Sequence, residues 1–184
     1  RIRVFITDFR YVTQAAEEID DSFDRRQSGH VELSESIAEV LPDGPLRLGF
    51  EETAVSVHAL RKLRETLPDR VELVAVESLV ERLRALKDPE EVARIREAAK
   101  LADLAFSDVV ADGLVGRTER DLAFSLLDKM HRHGADGPSF EPIVASGAHA
   151  ARPHASPGHV PVKADQLVLF DWGAQLDGYC SDCT

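Results

Sequence analysis

Leu167-Val-Leu-Phe-Asp171-Trp-Gly-Ala-Gln175-Leu-Asp-Gly-Tyr-Cys180-Ser-Asp182-Cys-Thr184 places two aspartates in apolar, strand-like runs on either side of a Gly-containing turn. An ionised carboxylate in such a run is costly to bury unless a positive charge compensates it, and a cation is the simplest compensation. Read as a β-hairpin, the stretch has its turn within Gln175 to Gly178, with Asp-Gly the strongest turn signal. A Leu176-Asp177 loop sets Asp171 directly opposite Asp182. An Asp177-Gly178 turn makes the pair diagonal but keeps both side chains on one face, because strand side chains alternate with period two. Directly opposed side chains have Cβ atoms about 5 Å apart, suited to ions about 3.5–4 Å apart. Without a cation the two carboxylates repel and one holds a proton. The competing reading is a pair of solvated aspartates on an edge hairpin.

Several motifs in the second half resemble the pita-bread metallopeptidases, in particular the Xaa-Pro dipeptidase and aminopeptidase P branch of that creatinase/aminopeptidase-like family. Asp171-Trp172-Gly173-Ala174 is similar to the family's Asp-x-Gly-Ala element, and Tyr179-Cys180-Ser181-Asp182-Cys183-Thr184 to its Tyr-x-Ser-Asp-x-Thr element. Val144-Ala145-Ser146-Gly147 followed by Arg152-Pro153-His154 resembles its Ser-Gly and Pro-His segment. Lys87-Asp88-Pro89-Glu90-Glu91 and Gly116-Arg117-Thr118-Glu119 resemble its linker and helix-opening turn. The resemblance implies Asp171 and Asp182 as metal ligands, the first chelating one ion and the second bridging two. It implies His154 as the catalytic histidine, stabilising the intermediate or relaying a proton. The implied cofactors are two divalent ions, Mn²⁺ first, with Co²⁺ or Zn²⁺ as alternatives. The implied substrate is a peptide with proline at its second position, cleaved before that proline, and a homodimer is expected on the same ground.

The family's full ligand set also contains one histidine and two glutamates beyond the Ser-Asp-x-Thr element, and no residue of this chain takes those roles. The chain opens without Met, at a strand-like Ile2 to Thr7. It is therefore expected to be an internal piece of a longer polypeptide, inactive alone. Two rival classes remain: a non-catalytic binding or regulatory relative, lacking the later ligands, and a creatinase-like hydrolase that dispenses with metal.

Composition fits a globular chain: 184 residues, 43% hydrophobic and 30% charged. The net charge of −11 is spread over both halves, with 12 basic against 17 acidic residues in 1–84 and 10 against 16 in 85–184. Nucleic acid and anionic membrane are poor partners for such a surface. No apolar run approaches the roughly 18–20 residues of a membrane span. Cys180 and Cys183 stand three apart in a strand, so they point to opposite faces and do not converge on a zinc ion or a redox pair. They are read as reduced thiols of a cytoplasmic protein.

The expected organisation is α/β: a small creatinase-type N-terminal α/β domain, incomplete at its start, over 1–86, then the first part of an α+β pita-bread catalytic domain over 87–184. Strands are expected at 2–7, 46–50 and 71–76, a helix from an N-cap at Thr53 to Leu67, and a short helix over 78–86. Lys87-Asp88-Pro89 marks the boundary. A long helix over 90–110 is expected to bury Val92, Ile95, Ala99, Ala102 and Phe106, and Thr118 to cap the next helix, ending near Gly134. His131 and His133 suit a helix C-terminus, and His30 and His58 the surface. His149, His154 and His159 share one loop. Spacing cannot choose among them, and only the resemblance singles out His154, leaving His149 and His159 as candidates to line a substrate pocket.

Overall fold

The computed structural model describes residues 2–29 and 33–184. The surface position expected of His30 lies outside the described residues. The chain divides into two compact units, Arg1–Ala85 and Leu86–Thr184.

The first unit runs β1 (Val4–Thr7), α1 (Val12–Glu18), β2 (Asp24–Gln27), α2 (Leu33–Val40), β3 (Leu46–Glu51), α3 (Val57–Thr66), β4 (Val71–Val76) and α4 (Leu79–Ala85). β1 pairs with β2 in parallel, Val4 opposite Asp24, and β3 with β4, Leu46 opposite Val71 through Glu51 opposite Val76. Parallel neighbours require a crossover, and α1 and α3 supply it. Three elements depart from the sequence expectation, α2 by having no counterpart in it. β2 is Asp-Arg-Arg-Gln, exposed throughout, and becomes a strand only because β1 offers it a ladder. α3 starts later than expected: Ser56, not Thr53, is the N-cap, its hydroxyl accepting from the Ala59 amide at 3.1 Å.

The second unit rests on two capped helices, α5 (Pro89–Ala111) and α6 (Glu119–Arg132). Asp88 Oδ1 accepts from the Glu90 and Glu91 amides while Glu91 Oε2 accepts from the Asp88 amide, and Pro89 occupies the first helical position. Thr118 and Asp121 form the same reciprocal cap on α6. Such caps satisfy amides that have no partner within the helix. The buried stripe of α5 is Ala98, Ala102, Ala105 and Val109, each fully buried, whereas Val92 is exposed. Ala102 is buried as expected and Phe106 packs against the core, while Ala98 rather than Ala99 takes the buried position one turn earlier.

The strands are β5 (Gly137–Pro138), β6 (Ile143–Ser146), β7 (Val168–Asp171), β8 (Ala174–Leu176) and β9 (Tyr179–Cys180). β6 and β7 pair antiparallel, Ile143 opposite Asp171 and Ser146 opposite Val168, while β8 lies between β5 and β9. The inner faces of these strands meet Leu122, Leu126 and Met130 of α6 and the alanine stripe of α5. Phe106 stacks on Trp172 at 4.5 Å and meets Phe170 edge-on at 5.2 Å. The Trp172 indole donates to the Ala102 carbonyl at 3.1 Å, so the ring is both packed and satisfied. Among the described residues no helix is long and apolar enough to cross a membrane.

Candidate metal centre

The hairpin turns at Asp177-Gly178, both with positive φ (49° and 78°), the backbone signature of a type I′ turn. Asp136 fixes it from outside: its Oδ2 accepts from the Asp177 amide at 2.7 Å, and its own amide donates to the Gln175 carbonyl. Leu176 pairs with Tyr179, Gln175 with Cys180 and Trp172 with Cys183. Of the two registers open from sequence, this is the diagonal one: continued outward, it sets Asp171 opposite Thr184 and Asp182 opposite Gly173. Diagonal neighbours on one face have Cα atoms about 7–8 Å apart, so the carboxylates can flank a shared ligand without touching.

Burial alternates along both strands as the register requires. Phe170, Trp172, Ala174 and Ser181 face the core, while Asp171 is half-buried and Asp182 exposed on the other face. Neither carboxylate has a hydrogen-bond or ion-pair partner among the described residues. Cys183 turns inward against the core and Cys180 outward; both are free thiols, and burial foremost, with the charges of Asp103 and Asp182, pushes the Cys183 thiol up.

Asp182 is held by a serine staple. Ser139 Oγ donates within reach of the Ser181 carbonyl at 2.7 Å and the Ala174 carbonyl at 3.0 Å, while Ser181 Oγ accepts from the Ala174 amide at 3.0 Å. The Ser139 amide donates to the Gly173 carbonyl. The strands close so tightly here that a Cβ on Gly173 would overlap the Ser181 carbonyl oxygen and lie 2.8 Å from Ser139 Oγ.

The three loop histidines are not equivalent. His154 and His159 are exposed, His154 within a turn. His149 is half-buried, and its Nδ1 lies 2.8 Å from Glu119 Oε2. Glu119, the first residue of α6, is fully buried. Its Oε1 also accepts from the Ser146 amide at 2.7 Å and the Ser146 hydroxyl at 3.0 Å, and its Oε2 from the Gly158 amide at 3.1 Å. Burial pushes this carboxyl up, but the bonds from Ser146, Gly158 and His149 together outweigh it and hold the group below the usual glutamate range. Sequence reading treats Glu119 only as part of a helix-opening turn. Its donors lie 27 to 39 residues away, and no local pattern announces them. His133, expected at a helix end, reaches Asp108 of α5 at 2.9 Å, and His58 is exposed.

Residues 93–184 match metallopeptidase family M24, and residues 2–86 match the creatinase/prolidase N-terminal domain. The chain belongs to metallopeptidase family M24. It is 37% identical over 180 residues to the uncharacterized peptidase YqhT of Bacillus subtilis, covering 98% of this chain and 50% of that protein. The Xaa-Pro dipeptidase of Bacillus anthracis superposes with a TM-score of 0.89 at 31% identity, over 97% of this chain and 49% of its own. The X-Pro aminopeptidase of Thermotoga maritima gives 0.87 at 29%, over 99% and 51%. The M24 chain described here thus spans about half the length of these relatives. Its architecture is the mixed α/β arrangement of a creatinase N-terminal domain and the start of a pita-bread domain.

The M24 family is metal-dependent, and the hairpin fits part of a metal site. Asp171 and Asp182 are hard oxygen donors, share one face, and are left without protein partners. Among the described residues no three His, Cys, Asp or Glu side chains gather to hold an ion.

Proposed function

We propose that this M24 chain is part of a metal-dependent peptidase that hydrolyses the bond preceding proline near a peptide N-terminus. On this reading residues 1–86 are a creatinase-type N-terminal domain and residues 87–184 belong to the catalytic domain. Asp171 and Asp182 hold divalent metal, Mn²⁺ by the hardness of their oxygens, and His154 serves the substrate. The observation that carries the proposal is the partnerless pair Asp171 and Asp182 on one face of the hairpin. Metal bound there supplies Lewis acidity and a water ionised near neutral pH. The protein's own part is to hold both carboxylates through the serine staple, so that neither reorganises on binding, and to present the exposed His154 imidazole for proton transfer with the departing amine. The free thiols, facing opposite ways, suit a reducing compartment such as the cytoplasm.

Replacing Asp182 with Ala in the whole protein is expected to lower Mn²⁺ affinity by more than about a hundredfold, since even supporting residues cost 10–100-fold. Calorimetric titration reads the affinity and hydrolysis of an Xaa-Pro dipeptide the turnover. A variant that keeps both disposes of the assignment. Residues 1–184 alone are expected to show no hydrolysis of that dipeptide with Mn²⁺.

A further inference from the structure

We propose that Glu119 is a positioning residue, a buried clasp that fastens both ends of the loop carrying His154 to the first turn of α6. The inference rests on the reading of His154 as the substrate-facing histidine. At the loop's entry, Glu119 takes the amide and hydroxyl of Ser146 and the ring of His149, and at its exit the amide of Gly158. Backbone bonds double the exit: the Glu119 amide donates to the Val160 carbonyl at 3.1 Å and the Arg120 amide to the Gly158 carbonyl at 3.0 Å. Between the two ends the backbone hydrogen bonds among the described residues are those of its own turns, Arg152 on His149 and Ala155 on Arg152, and the Ala155 side chain is buried. His154 sits in that span, so its place relative to α6 is inherited from the clasp.

The side chain has to be a carboxylate. Four donors converge on two oxygens, and an ionised carboxylate accepts all of them while offering no hydrogen of its own. Because it accepts, the His149 Nδ1 carries the proton. The helix N-terminus adds favourable partial charge without a Lys or Arg in the cluster. In Glu119→Gln, an NH₂ group must replace one oxygen, and in either orientation it faces a backbone amide, Ser146 or Gly158.

The test compares Glu119→Gln, His149→Ala and His149→Asn in the whole protein, reading amide hydrogen exchange over residues 147–158, Mn²⁺ affinity, and kcat and KM on an Xaa-Pro dipeptide. Each unsatisfied buried donor is expected to speed exchange in the loop about tenfold to a hundredfold in Glu119→Gln, with kcat falling in parallel and Mn²⁺ affinity unchanged. His149→Ala follows in the same direction and stands in if Glu119→Gln does not fold. His149→Asn restores both readouts, because its amide nitrogen takes the place of Nδ1, whereas a lost contact through Nε2 would not be restored. Unchanged loop exchange in both Glu119→Gln and His149→Ala overturns the clasp. A looser loop with unaltered kcat overturns the positioning role, provided His154→Ala stops turnover. If His154→Ala leaves turnover intact, the reading of His154 fails instead, and loop exchange still reports whether Glu119 fastens the loop.

Discussion

Gly173→Ala should be far more damaging than its chemistry suggests. One methyl group is added on the carboxylate face, where the Ser181 carbonyl carbon lies 2.8 Å from the position it would take and the carbonyl oxygen overlaps it. Ordinary contact begins at 3.4 Å, and the obstacle is backbone, so the main chain on both sides of Ser181 must retreat. That movement pulls the Ser181 carbonyl from Ser139 Oγ, now at 2.7 Å, and the Ser181 amide from the Ala174 carbonyl, now at 2.9 Å. Two hydrogen bonds at about 1 kcal/mol each, added to about 1–3 kcal/mol for overpacking, give a loss of about 3–5 kcal/mol. Urea denaturation of the whole protein, with a slope of about 3 kcal/mol per molar, would show a midpoint lower by about 1–2 M. Mn²⁺ affinity should fall with it, since Asp182 is the next residue. Gly178→Ala is the internal control: it has positive φ but nothing within 4 Å, so it carries only backbone strain of about 1–2 kcal/mol and leaves the carboxylates alone. If Gly173→Ala lies within about 1 kcal/mol of the parent, or costs no more than Gly178→Ala, close approach at Gly173 is not what shapes the site.

Trp172→Phe removes the indole donor from the Ala102 carbonyl and leaves a void beside Phe106, and is expected to cost about 1–3 kcal/mol in thermal or urea unfolding with metal affinity retained. Acid should loosen the 147–158 loop ahead of the rest of the second unit. Glu119 has a folded-state pKa depressed below its unfolded value, so its stabilisation is present above the ordinary glutamate range and is lost as pH falls through the lower folded value. Hydrogen exchange across an acid series checks the order, and Glu119→Gln should abolish the pH step.

The final hairpin was legible because its information is local: Asp177-Gly178 specifies the turn, and alternation specifies which side chains share a face. Sequence left two registers standing, since both place Asp171 and Asp182 on one face. The structure takes the register in which both turn residues have positive φ. α2 carries a local signal of the same kind, with Leu33, Ile37 and Val40 at helical spacing. β2 carries no such signal, because its four polar residues are strand only by virtue of β1. On α5, periodicity locates Ala102 and Phe106 on the core side, and departs from the structure at Val92, which is exposed, and at Ala99, whose neighbour Ala98 is the fully buried one. Glu119 lay beyond reach for a different reason. A glutamate at a helix start is ordinarily a solvated, dipole-favoured residue, and nothing nearby shows that three distant segments will close over it.

Glu91 serves two partners at once. Its Oε2 completes the cap that starts α5, and its Oε1 accepts from the Tyr179 hydroxyl at 3.1 Å, across 88 residues of chain. The alanine stripe of α5 is covered by strands that likewise come late in the chain. During synthesis, therefore, α5 leaves the ribosome with its cap formed and α6 soon follows to cover one side of it, but the side that meets the late strands stays bare until the segment around Tyr179 follows. At about 5–20 residues per second that interval is on the order of 4–18 seconds, and contacts of such long sequence separation form slowly in any case. A chaperone that recognises the nascent second unit has α5 as its exposed target, and the arrival of the hairpin is the event that ends the recognition.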